Sequence, residues 1–213
     1  VFDVDGTLVD SQALIIGAMA QAMEGAGLPV LDRDQVLSIV GLSLPLAVAT
    51  LLPDQPEARQ NEVVAGYRAA FMSRRMDDEA PLYPGARACL DALAGRDDLL
   101  LGIATGKSRR GLDAMLDHHG LRGHFVTLQT ADNHPSKPSP AMLLAACDEA
   151  GVDPAKAVMI GDTTFDMQMA LNARTAALGV DWGYHPATAL RQLDIVVAAD
   201  FGQLQTMIEE WAR

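Results

Sequence analysis

The residues best placed to do chemistry open the chain: Val1-Phe2-Asp3-Val4-Asp5-Gly6-Thr7-Leu8-Val9-Asp10-Ser11. Two apolar residues lead into Asp3 and Asp5, and Gly6-Thr7 breaks the run, the pattern of a buried strand ending in a turn. Side chains alternate along a strand, so Asp3 and Asp5 share one side. Two carboxylates gathered at a strand end repel each other and are costly to bury. A cation between them, or a division into acid and base, would account for the pair.

Three later groups have matching chemistry. Thr105-Gly106 closes the apolar run 99–104 and opens a helix. Lys137 stands in Ser136-Lys137-Pro138-Ser139-Pro140, just ahead of a helix expected to be capped by Ser139 and begun by Pro140. A cation there opposes the helix dipole, so Lys137 calls for an anionic partner. Gly161-Asp162-Thr163-Thr164-Phe165-Asp166 follows the apolar run 157–160. Asp162 suits both a helix cap and a metal ligand, and Asp166, one turn on, can face the same space. Ligands of open α/β sheets gather at the carboxyl ends of strands, where each of the four groups falls.

In type, order and rough spacing, these four motifs resemble those of the haloacid dehalogenase superfamily, most of whose members are phosphatases. The opening Asp-x-Asp-Gly-Thr-Leu-x-Asp-Ser is the most specific of them, and the likeness runs over nearly the whole chain. The resemblance implies that Asp3 is a nucleophile forming an aspartyl-phosphate. Asp5 would be the general acid and then the base for water. Thr105 and the Gly106 N–H would hold phosphate oxygens at a helix N-terminus. Lys137 would neutralise phosphate and nucleophile. Mg²⁺ suits hard oxygen ligands in the absence of a His/Cys cluster. Asp3, Asp162 and, by resemblance, the backbone carbonyl of Asp5 would hold it, with Asp166 orienting Lys137 or the metal's waters.

Elements that could position these groups follow from the pattern. From residue 84 onward, helical stretches at 86–94, 107–119, 140–150 and 165–173 alternate with apolar runs at 99–104, 125–130, 157–160 and 175–180. A run at 195–199 and a helix near 202–211 finish the chain. That alternation predicts βαβ units, hence an α/β fold with a three-layer, Rossmann-like parallel sheet to which strand 1–4 belongs. Residues 13–81 break it with four helical stretches: 13–24 capped by Ser11, 32–40, one begun by Ser43 and Pro45, and 57–76. They resemble the superfamily's helical cap inserted after the first strand, so the expected division is 1–12 with 82–213 as core and 13–81 as cap.

Composition sets limits on partners. The 213 residues carry a net charge of −12, which disfavours nucleic acid and anionic membranes. No apolar run is long enough to span a bilayer and no signal peptide opens the chain. Val1 already lies within the first strand, so a few residues are expected ahead of it. Cys89 and Cys147 lack metal-ligand spacing and read as reduced thiols, which suits the cytoplasm. A phosphorylated substrate needs local positive charge, yet there are only three lysines: Lys107, Lys137 and Lys156.

Lys107 directly follows the second motif and reads as a solvated lysine at a helix start, with a reach to phosphate as the alternative. The five histidines show no ligand spacing, and Met19, Met23, Met72 and Met76 read as packing of the helical insert. Arg68 and Arg75 read as a solvated face, with an anionic substrate tail as the alternative.

Within the superfamily, Asp5 argues against dehalogenation, because a leaving halide needs no proton. The absence of lysine before Lys107 argues against a Schiff-base hydrolase. The Gly6-Thr7-Leu8 run is more similar to phosphoglycolate phosphatases than to β-phosphoglucomutases. The expected activity is Mg²⁺-dependent hydrolysis of a small phosphorylated metabolite by a monomer or homodimer. A phosphomutase or a catalytically silent binding subunit is the alternative.

Overall fold

The computed structural model describes residues 1–77 and 79–213, without the side chains of residues 76 and 77, so the expected packing of Met76 lies outside the described residues. Among the described residues, short apolar runs form five strands, all paired parallel. β1 (Gly102–Thr105) pairs with β2 (Thr127–Thr130), and β3 (Val158–Gly161) pairs with β4 (Ala176–Val180), which pairs with β5 (Val196–Ala198). The N-terminal segment joins the two groups. Phe2 N donates to Gly102 O (2.8 Å) on one side, and Asp3 N donates to Ile160 O (2.9 Å) on the other. The resulting order is β2, β1, the segment, β3, β4, β5.

The expected strand 1–4 is therefore shorter than the sequence suggests, with single bridges at Phe2. Its successor curls at once, because Leu8 N and Val9 N both donate to Val4 O and Gly6 takes φ +87°. Glycine alone adopts that backbone cheaply.

Period-two alternation sorts the side chains into layers. Ile103 and Ile160 point into the larger apolar cluster, and Ala104 and Met159 into the opposite one. The insert supplies α1 (Gln12–Gly25), α2 (Arg33–Leu37), α3 (Leu44–Leu51) and α4 (Glu57–Asp77). The core adds α5 (Ala86–Ala94), α6 (Arg109–His118), α7 (Ala141–Ala150), α8 (Thr164–Ala173), α9 (Ala187–Arg191) and α10 (Phe201–Trp211). Leu90, Leu112, Leu116 and Leu204 cover one face of the sheet from α5, α6 and α10. Met142, Leu143, Met169 and Ala170 cover the other from α7 and α8. This three-layer α/β arrangement is the expected one.

The insert packs around its own cluster, which includes Ile15, Met19, Met23, Val36, Val48 and Val63. The chain leaves and re-enters the sheet side by side: Asp10 N donates to Pro81 O (2.9 Å) and Tyr83 N to Leu8 O (3.0 Å). α2 ends at Leu37, not at Val40 as expected. Asp32 caps it reciprocally with Gln35, and residues 38–42 turn toward the sheet.

Candidate active site

All four motif groups reach the carboxyl edge of the sheet. Asp3 leaves the central segment, Thr105 ends β1, Asp162 follows β3, and Lys137 lies in the loop between β2 and α7. Asp3, Thr105, Lys137, Asp162 and Asp166 are all buried. Lys137 is fully enclosed, its Nζ 2.9 Å from Asp3 Oδ1 and 2.6 Å from Asp166 Oδ1. The anionic partner its position demands is thus a pair of carboxylates. Pro140, not Ser139, occupies the cap position of α7, and the Ser139 hydroxyl only approaches Ala141 N at 3.4 Å.

Asp166 has both oxygens engaged. Oδ1 takes Lys137, and Oδ2 accepts from Thr163 N (3.0 Å) and the Thr163 hydroxyl (2.6 Å). Thr163 and Asp166 form the reciprocal cap of α8, so the cap expected of Asp162 falls one residue later. Asp162 is instead held by the Thr7 hydroxyl (2.8 Å) and Tyr184 N (2.8 Å). Room for this exists only because residues 6 and 183 are glycines: a Cβ on either would run into the Asp162 side chain.

Carboxylate oxygens of Asp3, Asp162 and Asp166 lie within 4.8 Å of one another. Lys137 is the one ammonium paired with them among the described residues, and its contact with Asp3 Oδ1 lacks hydrogen-bond geometry. Burial pushes Asp3 up to about 6, with Lys137 pulling it down and Asp166 pushing it further up. Asp162 is raised well above the usual carboxylate range by burial, then by Asp166 and Asp3. Burial would lower Lys137, but the Asp166 and Asp3 charges outweigh it and hold the ammonium above its ordinary value. Three carboxylates against one ammonium leave an excess of buried negative charge on hard oxygen donors. That donor set fits a divalent cation such as Mg²⁺. Asp166, fully committed to Lys137 and Thr163, fits the supporting place.

Asp5 faces a different neighbourhood. The Ser11 hydroxyl donates to its Oδ1 (2.6 Å), and the Tyr184 hydroxyl lies 3.0 Å from that of Ser11. Ser11 holds the cap position of α1, but its hydroxyl serves Asp5 and makes no capping bond. Lys107 Nζ reaches both Asp5 oxygens (2.8 and 2.9 Å) and lies 5.0 Å from the ring centroid of Phe71. The expectation of a solvated Lys107 is overturned, since its side chain is only 8% exposed. The spacing put it at a helix start but could not show that α4 lies over it. Ser11, Tyr184 and Lys107 are the neighbours of Asp5 that sequence reasoning did not place beside it. Ser11 stood within the opening motif, whereas nothing in the local sequence marked Tyr184.

Above Asp3 and Asp5 lies a cavity of about 560 Å³. Thr105, Gly106 and Lys107 line it from the core, and Ile15, Met19, Tyr67 and Phe71 from the insert. Arg68 and Arg75 line it too. Arg75 also pairs with Glu79 at 3.5 Å.

The model of the haloacid dehalogenase-like hydrolases matches residues 1–180. The chain belongs to that family. A relative named "Probable phosphatase IndB", from Dickeya dadantii, is 36% identical over 206 residues, covering 94% of this chain and 88% of its own. The phosphoglycolate phosphatase of Chromobacterium violaceum is 34% identical over 194 residues, covering 89% and 87%. A haloacid dehalogenase-like hydrolase of Streptococcus pneumoniae superposes with a TM-score of 0.86 at 24% identity, over 97% of this chain and 96% of that one, a likeness of fold. As a haloacid dehalogenase-like hydrolase with phosphatase relatives across almost its full length, the chain is a phosphoric monoester hydrolase.

Proposed function

We propose that this phosphatase hydrolyses a small phosphorylated metabolite through an aspartyl-phosphate on Asp3, with phosphoglycolate as the first substrate to test. The observation that carries the reading is Asp3 itself: a buried carboxylate beside a buried ammonium, at the floor of the cavity, with Asp5 two residues on. The helical insert 13–81 acts as a cap over the core, excluding bulk water from the cavity.

In the first step an Asp3 oxygen attacks phosphorus and the ester P–O bond breaks. Asp5, protonated from solvent as the ester enters, delivers that proton to the departing alkoxide. In the second step water attacks phosphorus, Asp5 takes a proton from it, and the bond between the Asp3 oxygen and phosphorus breaks; Asp5 returns its proton to solvent as phosphate leaves and pairs with Lys107 again. Lys137 neutralises Asp3 and a phosphate oxygen, so two anions can approach. Thr105 Oγ1 and Gly106 N–H hold further phosphate oxygens. Mg²⁺, held by Asp3, Asp162 and the Asp5 carbonyl, would supply the remaining positive charge for the phosphoryl group. Asp166 holds Lys137 in place, and Ser11 orients Asp5.

Phosphate release from a panel of small esters, with Mg²⁺ and with EDTA, tests this reading. Wild type is expected to release phosphate only with the cation, and Asp3→Asn to lose activity by at least about a thousandfold. A folded wild type that hydrolyses no ester would overturn it. Recovery of an isomeric sugar phosphate without free phosphate would make the enzyme a mutase.

A further inference from the structure

Lys107 occupies an unusual place. Its ammonium holds both Asp5 oxygens, lies against the Phe71 ring of α4, and lines the cavity where the alcohol portion of an ester would extend. Resting on the phosphatase reading above, we propose that Lys107 is a displaceable counter-ion that selects esters bearing a second anionic group.

Asp5 and Lys107 satisfy one another in this structure. When an ester binds, the Asp5 carboxyl group must turn to the ester oxygen. Lys107, only 8% exposed, then loses its partner on a cavity wall that the bound ester itself covers, leaving little room for water. A nearly enclosed ammonium without a counter-charge is costly. A carboxylate on the alcohol portion of the substrate removes that cost, whereas a hydroxyl of the same size does not.

The rest of the wall agrees. Its charged residues besides Asp3, Asp5 and Asp132 are cationic: Lys107, Arg68, Arg75 and Arg110. Among the described residues neither Arg68 nor Arg110 has a carboxylate partner, in a chain whose net charge is −12. The side chains of Ile15, Met19, Tyr67 and Phe71 cover further apolar atoms, and 560 Å³ exceeds what a two-carbon acid fills. The selected class is therefore a phosphate monoester with a carboxylate near the ester carbon and space for an apolar remainder.

Paired esters that keep the bridging oxygen test the assignment without relying on turnover. Phosphoglycolate and 2-hydroxyethyl phosphate differ in one terminal group, carboxylate against hydroxymethyl. Their dissociation constants are measured by calorimetry with Mg²⁺ present, in an Asp3→Asn background that does not consume them. With Lys107 intact this background is expected to bind the acid at least about tenfold more tightly, and Lys107→Met to bring the two within about threefold. Equal binding with Lys107 intact overturns the selected class. An unchanged ratio in Lys107→Met, including equal weakening of both ligands as a contact to the phosphoryl group would produce, overturns the role of Lys107. If Lys107→Met does not fold, Lys107→Gln and Lys107→Arg are read in the same way, Arg keeping most of the preference and Gln losing it. Turnover of phosphoglycolate against 2-hydroxyethyl phosphate separates the two readings. Selective binding without hydrolysis of any ester leaves the Lys107 assignment standing and removes the hydrolytic one.

Discussion

Asp3 couples the site to pH. Burial lifts it from the ordinary 3.8 to about 6, so the folded chain holds a proton there that the unfolded chain releases. For a raised carboxyl group the stabilising contribution is present at low pH and declines as pH rises from about 4 through about 6. Asp162, raised for the same reason, adds to that decline. On the proposed reading a divalent cation would take over the role of these protons, so its binding would release them and strengthen with pH. The rise in Tm produced by a fixed Mg²⁺ concentration is therefore expected to grow between about pH 5 and about pH 8. A shift of constant size across that range would mean that these carboxylates do not bind the cation.

At the scale of elements, the junction between β1 and the helical insert is closed backbone against backbone. Gly106 follows β1, and a Cβ there would lie 2.7 Å from both Gly41 O and Leu42 O, in the segment between α2 and α3. Those neighbours are backbone and cannot rotate aside. Gly106→Ala is expected to push residues 41–42 away from the end of β1, opening the cavity. Activity should fall by about tenfold or more, because misplacing a positioning element by an ångström is that costly. Unfolding by urea should move far less, since the core clusters do not involve this contact. An Ala variant with wild-type activity would mean that the segment is free to stand off.

At the scale of the whole molecule, a few polar contacts hold the insert to the core. Ser43 N donates to the Ser136 hydroxyl (2.8 Å), next to Lys137. His185 Nδ1 accepts from Thr164 N (3.2 Å), which leaves Nε2 to donate to Ser38 O (3.1 Å). Burial lowers the pKa of His185, and the neutral ring is the form that can make both bonds. His185→Ala removes the link between the start of α8 and the end of α2. Hydrogen exchange over 38–43 is expected to speed up by about tenfold, with α5, α6 and α10 unchanged. Unchanged exchange there would show that Ser43 and packing suffice to hold the insert.

Which charged residues gather at the sheet edge can be read from the amino-acid sequence. Asp3, Lys137, Asp162 and Asp166 are legible because carboxylates at strand ends and a lysine before a helix are costly alone and make sense only together. The βαβ alternation was equally readable, since period-two and period-3.6 patterns are local. Caps moved by a residue where two candidates stood side by side, as at Asp162 and Thr163, because local spacing does not tell which oxygen a buried ammonium will claim. The surroundings of Asp5 emerge from long-range packing. Ser11, Lys107 and Tyr184 come from three separate parts of the chain, and each could equally have faced solvent. It is the closure of α4 over β1, a long-range packing event with no local signature, that turns Lys107 from a helix-start lysine into a nearly enclosed partner of Asp5.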